Sequence, residues 1–396
     1  MTTEPLALYV HWPFCVSKCP YCDFNSHVRA NIDQDIWRQA LLADLAHEAR
    51  LLPGRRLSSI FFGGGTPSLM DPSTVGALIS AAQEHWPSSG DIEITLEANP
   101  NSVEAAKFEH LASAGVNRLS LGLQSFDDRA LQFLGRAHSV GEGLQALEIA
   151  QKHADRVSFD LIYALPGDTE ESWTASLERA LSLGTTHLSL YELTIEPGTR
   201  FATMAARKDF TPLDPDAAAA LYEVTDAITS TAGLPAYEIS NHAVPGEESR
   251  HNLNYWRYGD YVGVGPGAHG RRLGARTVRH KKPENFLSAL ARNQHAIAEE
   301  APLSMAESAD EALLMGLRLS EGIDAAALAS RLGLETIVNW LRVERFVNSG
   351  HLMRKGNRIA PTAAGRLLLD YILAEISAEG SISAAPAVTQ GSAQAA

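Results

Sequence analysis

Cys15-Val-Ser-Lys-Cys19-Pro-Tyr-Cys22 holds all three cysteines of the chain, in the spacing C-x3-C-x2-C. Thiolates this close can converge on one inorganic centre, and soft sulfur ligands select iron–sulfur clusters, zinc or Cu(I). Iron–sulfur cubanes normally take four cysteines. With only Cys15, Cys19 and Cys22, one iron of a [4Fe–4S] cluster lacks a protein thiolate and is open to a small molecule. Structural zinc, with His11 or His27 as fourth ligand, is the competing reading, but such sites usually come as two separated ligand pairs. A disulfide fits worse, because three is odd and no secretory signal precedes the motif. The spacing favours the cluster.

Outward from this loop, short β-branched runs alternate with amphipathic segments. The pattern predicts strands at 6–11, 58–62, 92–98, 118–123, 157–162 and 187–193, with helices near 33–51, 72–85, 102–114, 141–154 and 169–183. Strand-then-helix repetition means a parallel sheet with right-handed crossovers. Six units are fewer than the eight of a closed barrel, so the pattern permits an open doubly wound sheet or a partial barrel. The chain of 396 residues has 45% hydrophobic and 20% charged residues, as a soluble globular protein does. No apolar run approaches the ~20 residues a membrane helix needs, although peripheral membrane contact stays open. The N-terminus has no charged and apolar leader, so the expected location is cytoplasmic. A net charge of −14 argues against broad nucleic-acid binding.

In parallel α/β folds, ligands sit at the carboxyl ends of the strands. The second predicted strand ends in Gly63-Gly64-Gly65-Thr66-Pro67, where missing side chains let backbone approach a ligand. Glu97, Gln124, Arg136 and Asp160 follow at or after later strand ends. Each alone is more often a cap, an ion pair or a satisfied core group, and their common location shifts that balance.

These motifs together resemble the radical S-adenosylmethionine (SAM) superfamily. The cysteine loop with Tyr21 before its last thiol, the glycine motif after the second strand, and the stretch Tyr9-Val-His-Trp-Pro-Phe-Cys15 carry the likeness. They are most similar to the branch that contains oxygen-independent coproporphyrinogen oxidases and their haem-chaperone relatives. The resemblance implies a partial (β/α)6 barrel with the cluster loop after the first strand, and a [4Fe–4S] cluster whose open iron is chelated by SAM. It also implies SAM contacts at Tyr9, Tyr21, Gly64, Gly65, Thr66, Glu97, Gln124, Arg136 and Asp160.

Beyond a predicted helix at 216–232 lies His251-Asn252-Leu-Asn-Tyr255-Trp256. Aromatic rings beside a histidine can make a flat apolar slot with one axial ligand, as haem requires; by itself the pattern is more often a packed turn. H-N-x-x-Y-W also resembles the signature of the haem-chaperone branch, which implies haem contacts at His251, Asn252, Tyr255 and Trp256. Arg271, Arg272, Arg276, Arg279, His280, Lys281 and Lys282 crowd into twelve residues and read as a solvated loop, or as a surface for propionates or an acidic partner.

The expected organisation is a barrel over 1–240, a connecting segment over 241–302, a small mainly helical, winged-helix-like unit over 303–378, and a disordered tail over 379–396. Helices are expected at 311–319, 324–332, 334–346 and 367–376. The winged-helix pattern raises DNA binding, but 334–346 is poor in basic residues, which favours a lid or docking role. Three functions follow from the resemblance. The first is a haem chaperone that passes haem to an acceptor protein. The second is an oxygen-independent coproporphyrinogen III dehydrogenase, and the third a radical SAM enzyme acting on an unrelated substrate such as RNA. The decarboxylases resemble C-x3-C-x2-C-x-C and carry a long N-terminal arm. Here the extra cysteine position is Phe24 and fourteen residues precede Cys15, which favours the chaperone.

Overall fold

The structure, a computed structural model, describes residues 5–378; the tail expected to be disordered lies outside them. One 11-stranded sheet organises the chain. Its strands are β1 (Pro5–Trp12), β2 (Arg56–Gly64), β3 (Ser88–Ala98), β4 (Arg118–Gln124), β5 (Arg156–Tyr163), β6 (His187–Glu192), β7 (Asn241–Ala243), β8 (Asp260–Val264), β9 (His269–Arg272), β10 (Ala275–Arg279) and β11 (Ile297–Pro302). The spatial order is β11-β10-β9-β8-β1-β2-β3-β4-β5-β6-β7. Strands β1 to β6 run parallel in sequence order, as a partial (β/α)6 barrel requires. Their faces are almost continuously buried, seven of the eight residues of β1 for example, because helices cover parallel sheets.

The connecting helices start where local chemistry says they should. Asp33 caps α1 (Gln34–Leu51), and Asp71 with Pro72 starts α2 (Pro72–His85). A Ser139–Glu142 capping box opens α3 (Val140–His153), and Thr169 caps α4 (Glu170–Ser182). Their buried residues join those of the strands in one core. The helix expected over 102–114 is instead two short pieces, Ser102–Ala105 and Phe108–Ser113. The helix expected over 216–232 is α5 (Pro215–Thr231).

Residues 241–302 do more than connect. After α6 (Arg250–Trp256), strand β8 pairs in parallel with β1, and β9 to β11 extend the same sheet as an antiparallel meander. The basic run is therefore not a solvated loop throughout, although Arg276, Lys281 and Lys282 are exposed. Arg272 and Arg279 are buried on β9 and β10, where Arg272 Nε lies 2.5 Å from Glu48 and Arg279 Nη2 2.5 Å from the same carboxylate. Arg279 also reaches Asp44 at 3.3 Å. Arg271 is buried as well, stacked 3.6 Å above the Tyr258 ring. Acids on α1 neutralise charges that the linear sequence displays without partners.

After α7 (Pro283–Asn293), the C-terminal unit includes α8 (Met305–Gly316), α9 (Ala325–Arg331), α10 (Trp340–Asn348) and α11 (Leu369–Ile376). A small sheet of β12 (Ile323–Asp324), β13 (Leu352–Lys355) and β14 (Arg358–Pro361) completes it. A capping box at Ser304 starts α8 six residues before the expected 311. The helix expected from 334 begins only at Trp340, where Asn339 supplies the cap. This unit has its own apolar core around Leu313, Val343, Ile359 and Ile372.

Candidate functional site

The cysteine loop leaves the carboxyl end of β1 and is held there by aromatic packing and backbone bonds. Phe14 packs edge-on against Trp12 and Trp37 at 5.2 and 5.1 Å. Gly65 N–H donates to the Trp12 carbonyl and Thr66 N–H to that of Phe14, which ties the loop to the end of β2. Asn25 Nδ2 donates to the carbonyls of Pro266 and Lys281, so the meander also clamps it. Gly65 is needed sterically: a Cβ there would lie 2.7 Å from the Phe14 oxygen and 3.0 Å from Cys15 Sγ.

Cys15, Cys19 and Cys22 line one wall of a cavity of about 250 Å³ at the strand ends. Burial raises the thiol pKa of Cys15 and takes that of Cys22 to about 11, so loading a metal centre here displaces protons. Arg136 Nη1 sits 3.5 Å from Cys19 Sγ, a cation beside the thiol. His11, a candidate zinc ligand, is committed elsewhere: Nδ1 meets the Tyr9 hydroxyl and Nε2 the Asn25 carbonyl, both at 2.9 Å. Burial takes its pKa down to about 4, so the ring is neutral. A three-thiol donor set facing a roomy cavity fits a cluster with one open iron.

The same cavity is lined by most of the other expected residues. Tyr21, Gly64, Gly65, Thr66, Glu97, Gln124, Arg136 and Asp160 all line the cavity. Gln124 ends β4 with φ +67, a conformation costly for a side-chain-bearing residue. Its Oε1 is buried without a partner, as is Arg136 Nε; buried polar atoms of this kind call for a ligand. Burial, then Asp160, push the Glu97 carboxyl up to about 8, although the Gly64 N–H 3.3 Å away opposes the shift. Burial also takes Asp160 to about 6. These features fit a polar ligand bearing a cation and hydroxyls.

Two expectations change. Tyr9 is buried on β1 and does not line the cavity; its ring stacks on Phe61 and its hydroxyl is bound by His11. Arg136 does not present an open fork, because Nη2 donates to Asn99 Oδ1 at 2.6 Å and to the Gly122 carbonyl at 3.0 Å. Asn99, unremarked in Glu97-Ala-Asn-Pro100, is thus a hub. Its Nδ2 donates to Thr66 Oγ1 at 3.0 Å and its N–H to Glu104 at 2.8 Å. Ser120, Tyr191 and Glu192 also line the cavity, and the strand-end rule applied to β6 would have found the last two.

The His251–Trp256 motif forms α6, and none of its residues lines the thiol cavity. His251 is 1% exposed, stacks on Phe61 at 4.9 Å, and meets Ser59 Oγ through Nδ1 at 3.1 Å. Its Nε2 is buried without a partner. Glu93 on β3 accepts the N–H groups of Arg250 and His251, both at 3.1 Å. Burial alone would raise the Glu93 pKa, but Arg118, Arg156 and these N–H groups hold it low. Tyr255 packs edge-on against Trp256 and Tyr261 at 5.4 and 5.1 Å, and Asn252 donates to Tyr237. The expected slot with His251 as axial ligand is therefore not formed: strands β2 and β3 draw the imidazole into the interior and the aromatic rings pack on one another.

Comparison with known proteins agrees with this architecture. Residues 9–180 match the Radical SAM superfamily, and residues 303–368 match the HemN C-terminal domain. Heme chaperone HemW of Escherichia coli K12 is 36% identical over 383 residues, covering 95% of this chain and 99% of that protein. The mitochondrial radical S-adenosyl methionine domain-containing protein 1 of Bos taurus is 41% identical over 330 residues, covering 81% and 75%. The solved structure of Escherichia coli HemN, a coproporphyrinogen III oxidase and radical SAM enzyme, superposes with a TM-score of 0.79 at 24% identity. That match covers 93% of this chain and 89% of the other, and it establishes the fold. The chain belongs to the radical SAM superfamily, in the family that includes HemW and radical S-adenosyl methionine domain-containing protein 1.

Proposed function

We propose that this protein is a haem chaperone that binds haem and passes it to an acceptor protein. Membership of the radical SAM superfamily implies a [4Fe–4S] cluster and SAM. In this reading Cys15, Cys19 and Cys22 hold the cluster and the other residues lining the cavity hold SAM. The observation that carries it is the end-to-end identity with the heme chaperone HemW of Escherichia coli. Phe24 adds to it: it lines the thiol cavity where the decarboxylases resemble one another in having a further cysteine, and it can neither ligate nor donate.

When bound, the cluster and SAM would supply reductive radical chemistry. The chain's own residues position them: Gly64 and Gly65 let backbone approach, Asn99 orients Arg136 and Thr66, and Glu97 holds a proton beside Asp160. Among the described residues no helix is long and apolar enough to cross a membrane, and the cytoplasmic location expected from sequence is part of the proposal.

The test is an anaerobic haem titration of the reconstituted protein, followed by visible absorption. Saturable, stoichiometric binding is expected, with release to an apo-haem protein. No specific haem binding, together with SAM-dependent consumption of coproporphyrinogen III, would overturn the chaperone in favour of the dehydrogenase.

A further inference from the structure

The barrel interior holds a second, smaller chamber of about 50 Å³, which shares Glu97, Ser120, Asp160 and Tyr191 with the thiol cavity. From those residues it extends towards the other end of the strands, where Arg118 opens β4 and His187 opens β6. Trp256 of α6 and Arg318, two residues past α8, line it as well. Ligands of parallel α/β folds sit at the carboxyl ends of the strands. A polar chamber that reaches their amino ends is not accounted for by SAM.

Its walls are rich in donors with nothing to bind. Trp256 Nε1, His187 Nδ1 and Arg318 Nε are buried without a partner. Trp256 is 5% and His187 3% exposed, and an indole N–H or a guanidinium can only donate. Arg118 is buried too, and its guanidinium makes one long hydrogen bond, 3.5 Å to Ser158 Oγ. Among the described residues neither arginine has a salt bridge. Arg318 lies over the Trp256 ring at 5.1 Å, and Glu93, in whose field Arg118 stands, is bridged by Arg156 at 2.7 Å.

The acids of the chamber do not fill this need. Glu238 accepts from Asn241 Nδ2 and from the Ser240 N–H, and Asp160 accepts from Ser120 at 3.4 Å. Burial raises the pKa of Glu238, Asp160 and Glu97 alike, although Arg318 opposes the shift at Glu238 and Arg118 at Asp160. Burial therefore weakens the acids, while guanidiniums stay charged. A buried cation and buried donors left unpaired are costly.

We propose that this chamber binds a carboxylate, held between Arg118 and Arg318 with the Trp256 indole N–H as a further donor. One water needs about 10–15 Å³ of such space, so the chamber takes roughly three to five atoms, a carboxyl group and little more. The carboxylate is a small free acid, or the end of a longer one whose tail lies in the thiol cavity. The inference is independent of the chaperone reading. It gives Asn252 and Trp256, which form no haem slot, a place as chamber walls, and it joins β4 to the C-terminal unit through the bound anion.

The test titrates sodium formate and sodium hexanoate into the anaerobically reconstituted wild type, Arg318→Met and Trp256→Phe, at constant ionic strength and read by calorimetry. Methionine keeps an aliphatic stem without the charge, and phenylalanine keeps a ring without the N–H. Wild type is expected to bind one formate per chain saturably. Each variant is expected to weaken formate by about tenfold or more, the loss of one charge-assisted hydrogen bond. Hexanoate that binds with the same losses identifies the end of a longer acid; binding of formate alone identifies a small free one. Iron and sulfide content, read in parallel, reports an intact cluster loop. If either variant fails to fold, the other decides. A wild type that binds neither acid saturably, or affinities unchanged in the folded variants, overturns the site and leaves the chamber to water.

Discussion

Glu97 is the residue at which the chemistry of the thiol cavity is most sharply set. Its pKa of about 8, raised by burial and then by Asp160, means that the folded chain keeps a proton that the unfolded chain, near 4.5, has lost by neutral pH. The folded state binds more protons throughout that interval, so this carboxyl increasingly opposes folding as pH rises from about 4.5 to about 8. The urea midpoint of the cofactor-free protein is expected to fall between about pH 6 and about pH 8.5, and Glu97→Gln to flatten the fall. An identical slope in the variant would refute the assignment. Glu97 and Gln124 were legible in sequence because strand ends are readable; Arg136, beyond the helix that follows β4, and Asp160, inside β5, were picked out by the resemblance. Asn99 was not, since its importance lies in joining Arg136, Thr66 and Glu104, which come from different segments.

The loop after β1 and the end of β2 act as one element, joined by the bonds from Gly65 and Thr66 to the carbonyls of Trp12 and Phe14. A methyl group at Gly65 would meet fixed backbone at Phe14 and the sulfur of Cys15 together, and neither can withdraw without moving the thiol. Gly65→Ala is therefore expected to fold but to retain less than the about four irons and four sulfides of a full cluster after anaerobic reconstitution. Iron and sulfide analysis equal to wild type would show that the close approach does not matter. Strands β1 to β6 could be read from β-branched runs, and α1 to α4 from caps and periodicity, because those signals are local. Strands β8 to β11 escaped that reading. Val262-Gly-Val-Gly resembles a turn, and His269-Gly-Arg-Arg and Ala275-Arg-Thr-Val-Arg279 put charge where a buried strand usually carries apolar residues.

At the scale of the whole molecule, the ionic group of Asp44, Glu48, Arg272 and Arg279 joins α1 to the meander across more than two hundred residues of chain. Replacing Arg279 by Met leaves two buried carboxylates short of a partner and is expected to cost about 3–5 kcal/mol of stability. Urea unfolding measures it; a loss below about 1 kcal/mol, the range of exposed pairs, would show that the group is solvated. By itself the sequence determined the clustering of the three thiols, the six β/α units, the glycine turn after β2 and the family, since each rests on residues close together in the chain or on the spacing between repeated units. Only the tertiary structure decided which arginines are neutralised, that His251 faces the interior, and that α6 and the C-terminal unit share a chamber. Those outcomes depend on pairings such as Glu93 with His251 and Asp44 with Arg279, whose partners are distant in the chain and meet only when the sheet has formed.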